Sequence, residues 1–303
     1  MTAALCLKAR PTPTQLADRL RPIDGVWPDG LELFLTAADL NDVEAVANRV
    51  ETAEVPHDFA WLIEGPVDSL DGADFDITRE SEADVEVVRR LAELAARINA
   101  RAVNIHCIAP SSDTRRLTLE HRAALLERAT PFVARFAEDI QKAGAVPTIE
   151  HMPPVLRMRR ADFAFSPIGM ASEDLLWLCN RIDGLKVLCD TSHAGLYLNA
   201  RAVREDERFE PLLRFIHQLP PEAHDVLGYV QAFATKLENA QISNAQGLLG
   251  EGLPYAHGDL NLDEVLPWLG EHVRYIVTET LEPDNEDAVF MRDALRQMRV
   301  AVG

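Results

Sequence analysis

No apolar run in the 303 residues approaches the roughly 18 to 20 that a membrane-spanning helix needs. A membrane protein is therefore not expected. The opening MTAALCLKAR also lacks the apolar core and small-residue cleavage site of a secretory signal. Cysteine is scarce: Cys6, Cys107, Cys179 and Cys189 form neither a CxxC metal motif nor a disulfide framework. Read as free thiols, they point to a reducing compartment and a cytoplasmic location. Positive charge is in short supply too. Lys8, Lys142, Lys186 and Lys236 are the only lysines, and 30 basic residues face 49 acidic ones, a net charge of -19. Nucleic acids and anionic membranes are bound through Lys and Arg, so this balance argues against both partners. No glycine-rich strand-to-helix turn suits a dinucleotide, and no Walker loop suits a nucleoside triphosphate. No Gly/Ser-rich linker interrupts the chain, so residues 1–303 are predicted to form a single domain.

What the chain does have is alternation. Short apolar runs at 4–7, 31–35, 59–63, 102–108, 146–150, 186–190, 236–242 and 275–280 are separated by amphipathic stretches. Near-continuous hydrophobicity in such short runs suits parallel strands covered on both faces. Between them, Val85, Val88, Leu91, Leu94 and Ile98 make one apolar helical stripe behind a Ser81 cap. A long helix is predicted over 119–143, kinked at Pro131. Further helices are predicted over 172–181 (capped by Ser172), 211–218, 221–234, 262–269 and 285–298. The stretches 199–208 and 247–260 read as elaborated loops. Eight strand–helix repeats over this length predict an α/β fold, a closed (β/α)8 TIM barrel.

The polar residues of chemical interest sit at strand ends. His57 opens the third predicted strand, and His106 ends the fourth in AVNIHCIAP. Glu150 closes the fifth in PTIEHMPP, and Asp190 and His193 follow the sixth in KVLCDTSHAGL. Gln241 and Asn244 lie on the seventh in ENAQISNAQG, and Glu279 ends the eighth in YIVTETLEPD. Any one of these alone more often has a structural role. Their recurrence at successive strand ends points to the C-terminal mouth, where barrels gather catalytic groups. Glu150, Asp190 and Glu279 brought together there would stay ionised only beside a cation. With Gln241 they make an oxygen-rich set predicted to hold one divalent ion, Mg²⁺ or Mn²⁺ ahead of Co²⁺ or Zn²⁺. Substrate contacts are expected from His57, His106, Asn244, His257 and Arg157. His257 lies in the Gly-rich segment GLLGEGLPYAHGD, which could close over the site. Arg157 belongs to a cluster with Arg159 and Arg160. Cys107 and Cys189 each adjoin a site residue, so strand alternation predicts that they turn away from the barrel centre.

The order of these motifs resembles the xylose isomerase-like barrel superfamily of sugar isomerases, ketose 3-epimerases, inosose dehydratases and endonuclease IV. The resemblance extends over nearly the whole chain. It is carried by IEH at Glu150, CDTSHAG at Cys189 to Gly195, and TET at Glu279. It implies metal ligands from four strands at Glu150, Asp190, Gln241 and Glu279, with Gln241 standing where the epimerases have histidine. It also implies Glu150 and Glu279 as proton-transfer groups on either side of the ion, and His193 as the residue steering a substrate hydroxyl. The expected function is a metal-dependent isomerase or epimerase of a sugar or polyol, working by proton abstraction alpha to a carbonyl through an enediolate. Dehydration of a cyclic keto-polyol such as an inosose is the second reading. A non-catalytic barrel serving as a binding or partner subunit, suggested by Gln241, is the third. PHDFAWLI around His57 is similar to a segment of endonuclease IV, but Gln241 and Tyr255 stand at two of that enzyme's metal positions. The expected partner is a small molecule, with self-association left open.

Overall fold

The computed structural model describes residues 2–158 and 162–302, so Arg159 and Arg160 lie outside the described residues. All eight apolar runs contain strands. In chain order they are β1 (Ala4–Ala9), β2 (Gly30–Phe34), β3 (Ala60–Glu64), β4 (Ala102–His106), β5 (Val146–Glu150), β6 (Lys186–Asp190) and β7 (Leu237–Ile242). Then come a short hairpin, β8 (Asn244–Gln246) and β9 (Gly250–Leu253), and the last barrel strand, β10 (Tyr275–Thr278). The eight barrel strands are parallel and close in the order β1-β10-β7-β6-β5-β4-β3-β2. Ala4 pairs with Tyr275 across the seam, which leaves the sheet no edge.

The period of two along each strand sorts the side chains. Cys6, Leu62, Ala102 and Val277 form a small apolar cluster inside the barrel, separate from the main core. This floor is tight. A Cβ on Gly30 would lie 2.4 Å from the Ala60 carbonyl oxygen and 2.9 Å from Cys6 Sγ. Two residues further along the same four strands stand Lys8, Glu64, Asn104 and Glu279, so a polar layer lies directly above the floor. The intervening residues, such as Leu7, Ile63, Val103 and Ile276, face outward into the main core beneath the helices. Cys107 and Cys189 belong to that outer core, as the alternation predicts.

The helices follow from their caps and apolar faces. Ser81 caps Glu82–Ile98, which buries Val88, Leu91, Leu94 and Ile98. Leu119–Lys142 runs through Pro131 as one helix. The Asp190 side chain caps Thr191–Ala202, so helix takes the first part of the stretch read as a loop from residue 199. The helix expected over 221–234 shortens to Val226–Gln231 behind an Asp225 cap, and the last helix begins at Val289. Ser172 is not a cap: Ala171 holds that position, and the Ser172 hydroxyl meets Glu222 instead. Among the described residues no helix is long and apolar enough to cross a membrane.

Candidate functional site

Lys8 is buried in the polar layer, where its ammonium pairs with both Glu64 and Glu279. On β2 beside it, Glu32 accepts a hydrogen bond from the Gln241 side-chain amide at 2.7 Å, and the same nitrogen reaches Glu64 at 3.0 Å. On β4, Asn104 donates to Glu150 Oε2 at 2.6 Å, and His106 Nε2 lies 3.3 Å from Glu64. The mouth thus gathers residues from at least seven of the eight barrel strands.

The β5–β6 side is the most constrained part. One carboxylate oxygen of Asp190 caps the following helix, accepting from the backbone N–H groups of Ser192 and His193. The other faces His193 Nε2 at 3.6 Å. His193 Nδ1 donates to the His151 carbonyl at 2.9 Å and lies 3.2 Å from Glu150 Oε1, which leaves Nε2 turned toward Asp190 and Glu251. Glu251 comes from β9, whose Gly252 N–H bonds to Ser192 Oγ and ties the hairpin to the site. His151 lies behind. Its Nε2 accepts the Asp190 N–H at 3.1 Å, and Tyr229 covers its other nitrogen. Burial, reinforced by the nearby His193, pushes the His151 pKa well down, so it serves as a neutral prop.

The fold has solved counterparts. The chain is similar over 100% of its length, and 98% of the other, to the crystal structure of a D-tagatose 3-epimerase-like protein, with 16% identity and a TM-score of 0.65. It is similar to L-ribulose 3-epimerase, with 14% identity, 99% and 94% coverage and a TM-score of 0.62. It is also similar to 3-keto-D-glucoside 4-epimerase, YcjR, from E. coli, with 13% identity, 98% and 99% coverage and a TM-score of 0.61. The chain shares the closed (β/α)8 barrel fold of these structures. No protein-family model and no curated protein sequence matches it.

Among the described residues at the mouth of this barrel, acids outnumber bases. Glu32, Glu64, Glu150, Asp190 and Glu279 lie around Lys8, the one lysine of the mouth. Burial by itself would lower the Lys8 pKa, but Glu279, Glu64 and their neighbours hold it well above its usual range. Burial likewise opposes ionisation of Glu64, yet Lys8 and His106 bring it down to about 2. Glu32 is pushed up to about 8 by burial and by Glu64. Asp190 is raised by burial and by Glu150, against the pull of His193. His193 is itself held well up by Asp190, Glu150 and Glu251, which outweigh its burial.

A divalent cation fits this excess of acid. Glu150, Asp190 and His193 bring donor atoms within 4.8 Å of one another, as do Glu64, His106 and Glu150. Three further buried oxygens, Glu32 Oε2, Gln241 Oε1 and Glu279 Oε2, have no hydrogen-bond partner. Carboxylate oxygen with imidazole suits Mn²⁺, Co²⁺ or Zn²⁺ as well as Mg²⁺.

The sequence-derived residues divide accordingly. Glu150, Asp190, His193, His106, Gln241 and Glu279 all lie at the mouth. Gln241 turns its amide nitrogen to Glu32 and Glu64, so only its oxygen is free for a cation. Arg157 lines the cavity above the mouth but is paired with Asp74 and Asp162. Three expectations are corrected. His57 is exposed and precedes β3, which puts it at the opposite, N-terminal end of the barrel. His257 is exposed beyond the hairpin and does not line the cavity. Asn244 is buried and fastens the loop, donating to the Tyr255 and Leu260 carbonyls and accepting from the Leu260 N–H. Sequence reasoning overlooked Lys8, Glu32, Glu64 and Glu251. The first three carried a signal, a charge embedded in a short apolar strand (ALCLKA, GLELF, AWLIE).

Proposed function

We propose that the protein is a metal-dependent isomerase or epimerase of a sugar or related polyol. The observation that carries this reading is the meeting of Glu150, Asp190 and His193 within 4.8 Å at the C-terminal mouth. A cavity of about 430 Å³ opens above them, lined also by Glu279, Lys8 and His106. The solved structures of like fold include enzymes that epimerise ketoses and a 3-keto-glucoside.

Glu150, Asp190 and His193 would hold the ion, with the free oxygens of Gln241 and Glu279 as further donors. A divalent ion there supplies Lewis acidity to a carbonyl and its neighbouring hydroxyl, which acidifies the C–H between them. Glu150 is suited to take that proton, because Asn104 anchors its Oε2 and its Oε1 faces His193 at 3.2 Å, among the groups that would hold the ion. Glu279 is the candidate to return a proton from the other side, since β10 and β5 lie three steps apart around the barrel. Lys8 holds the Glu279 carboxylate in place. The contacts of His193 with Glu150 and Asp190 favour a ligand role for it over steering a hydroxyl.

The test is solvent exchange. D-tagatose, D-allulose or L-ribulose incubated with the protein and Mn²⁺ in D2O should gain deuterium at the carbon alpha to the carbonyl. Glu150→Gln and Glu279→Gln should each abolish it while the fold persists. Wild-type exchange in both variants would refute the two-glutamate mechanism. A product lighter by one water would favour the dehydratase reading instead.

A further inference from the structure

Above the carboxylates the cavity changes character. Its walls are Val67 after β3, Met152, Leu156 and Met158 after β5, Leu281 after β10, and Met291 on the last helix. Three of the chain's six methionines therefore stand on one cavity. Methionine is the side chain that best adapts to apolar ligands of varied shape. Val67 and Leu281 are 36% and 38% exposed, among the few large apolar side chains left open at the described surface. A lone exposed valine or leucine needs no explanation, but two on the rim of the same cavity point to a ligand.

Among the described residues, the arginines on this wall are already engaged. Arg157 pairs with Asp74 and Asp162, Arg19 with Asp18 and the Asn285 carbonyl, and Arg10 with Asp39 and Thr36. Among the described residues, four lysine or arginine side chains line the cavity, and each is already paired with a carboxylate, so they offer no uncommitted cation to a phosphate or carboxylate on the ligand. A bare hexose seated on the carboxylates would leave the methionine wall facing water.

We infer that the substrate is a carbonyl-bearing sugar or polyol with an uncharged apolar substituent, such as an alkyl or aryl glycoside that carries a ketone on its ring. Its hydroxyls face the strand-end carboxylates, and its apolar part lies along Met152, Met158 and Met291. This inference rests on the reading of the mouth as a sugar site. Each methylene moved from water onto such a wall is worth roughly fourfold in affinity.

The experiment is calorimetric titration of the Mn²⁺-loaded protein with methyl, butyl and hexyl β-D-glucopyranoside, analogues that lack a carbonyl and so bind without reacting. The same titrations are run on Leu281→Asp and Val67→Asp, exposed positions where a polar side chain spares the fold. Affinity should rise by about tenfold or more from methyl to butyl, a modest share of what three buried methylenes allow. Each rim variant should cut the butyl affinity several-fold and leave the methyl affinity within about twofold, since the methyl compound does not reach the rim. A flat series, no binding by any member, a chain-length dependence untouched by both variants, or tighter binding of fructose 6-phosphate than of the butyl glycoside would overturn the inference. Deuterium exchange on unsubstituted ketoses with a flat series would strike only this inference. A steep series without exchange would strike only the epimerase reading.

Discussion

Replacing Lys8 by methionine keeps the length of the apolar stem and deletes only the ammonium that joins Glu64 to Glu279. Removing one member of a buried ion pair leaves the other charge uncompensated, at a cost of roughly 3 to 5 kcal/mol. The two carboxylates do not share that cost equally. The Glu64 side chain is 4% exposed and must bear it, whereas burial holds the Glu279 pKa well above its usual range, so that carboxyl can take up a proton instead. The expected loss is therefore at the low end, about 3 kcal/mol. Urea unfolding of wild type and Lys8→Met in EDTA should show this gap. Excess Mn²⁺ should narrow it, because in the variant the added ion is the main remaining counter-charge and a ligand present at about 100 times its Kd adds roughly 2.7 kcal/mol to the folded state. A gap under about 1 kcal/mol in EDTA would refute the view of Lys8 as the counter-ion of Glu64. A full gap that Mn²⁺ leaves unchanged would mean that the ion and the lysine do not share carboxylates.

Asp190 both caps a helix and faces the site, so two substitutions should separate its roles. Asp190→Asn should lose most bound metal at nearly unchanged stability, whereas Asp190→Ala should lose the metal and about 1 kcal/mol besides; elemental analysis and melting curves check both, and full metal content in either would move the ion elsewhere. Gly30→Ala should destabilise the barrel by about 3 kcal/mol or more, since the new methyl meets the Ala60 backbone as well as Cys6, and an unchanged urea midpoint would deny the tight floor. Burial raises Asp174 to about 6 against the pull of Arg122 and the Gly169 N–H. The folded chain therefore keeps a proton that the unfolded chain releases near its ordinary value of 3.8, and stability falls as pH rises from that value to about 6, by about 3 kcal/mol in all. Asp174→Asn should remove that slope from urea midpoints taken across the window, and an identical slope would assign it to another group.

Much of this architecture is local, and the sequence by itself determined it. Alternation of short apolar runs with helical stripes points to covered parallel strands, and eight of them over this length favour closure over an open sheet. Glu150, Asp190 and Glu279 were legible because each ends an apolar run, where the mouth must be. The period of two also set Cys107 and Cys189 in the outer core. It would have set Lys8, Glu32 and Glu64 inside the barrel as well, since a charge within a buried strand can only join the polar layer.

Other features were decided by the tertiary structure alone. Lys8 meets Glu279 across 271 residues of chain because β1 and β10 close the barrel. Glu251 reaches His193 because a hairpin folds back over the helix that Asp190 caps. His57 shows the limit from the other side: adjacency to a strand says nothing unless the end of the strand is known, and β3 begins after it. The methionine wall is drawn from three loops and a helix with no common motif. Side-chain alternation and burial repeat along the chain and can be read from it. The pairing of one charge with another depends on distances through space, which exist only once the barrel has closed.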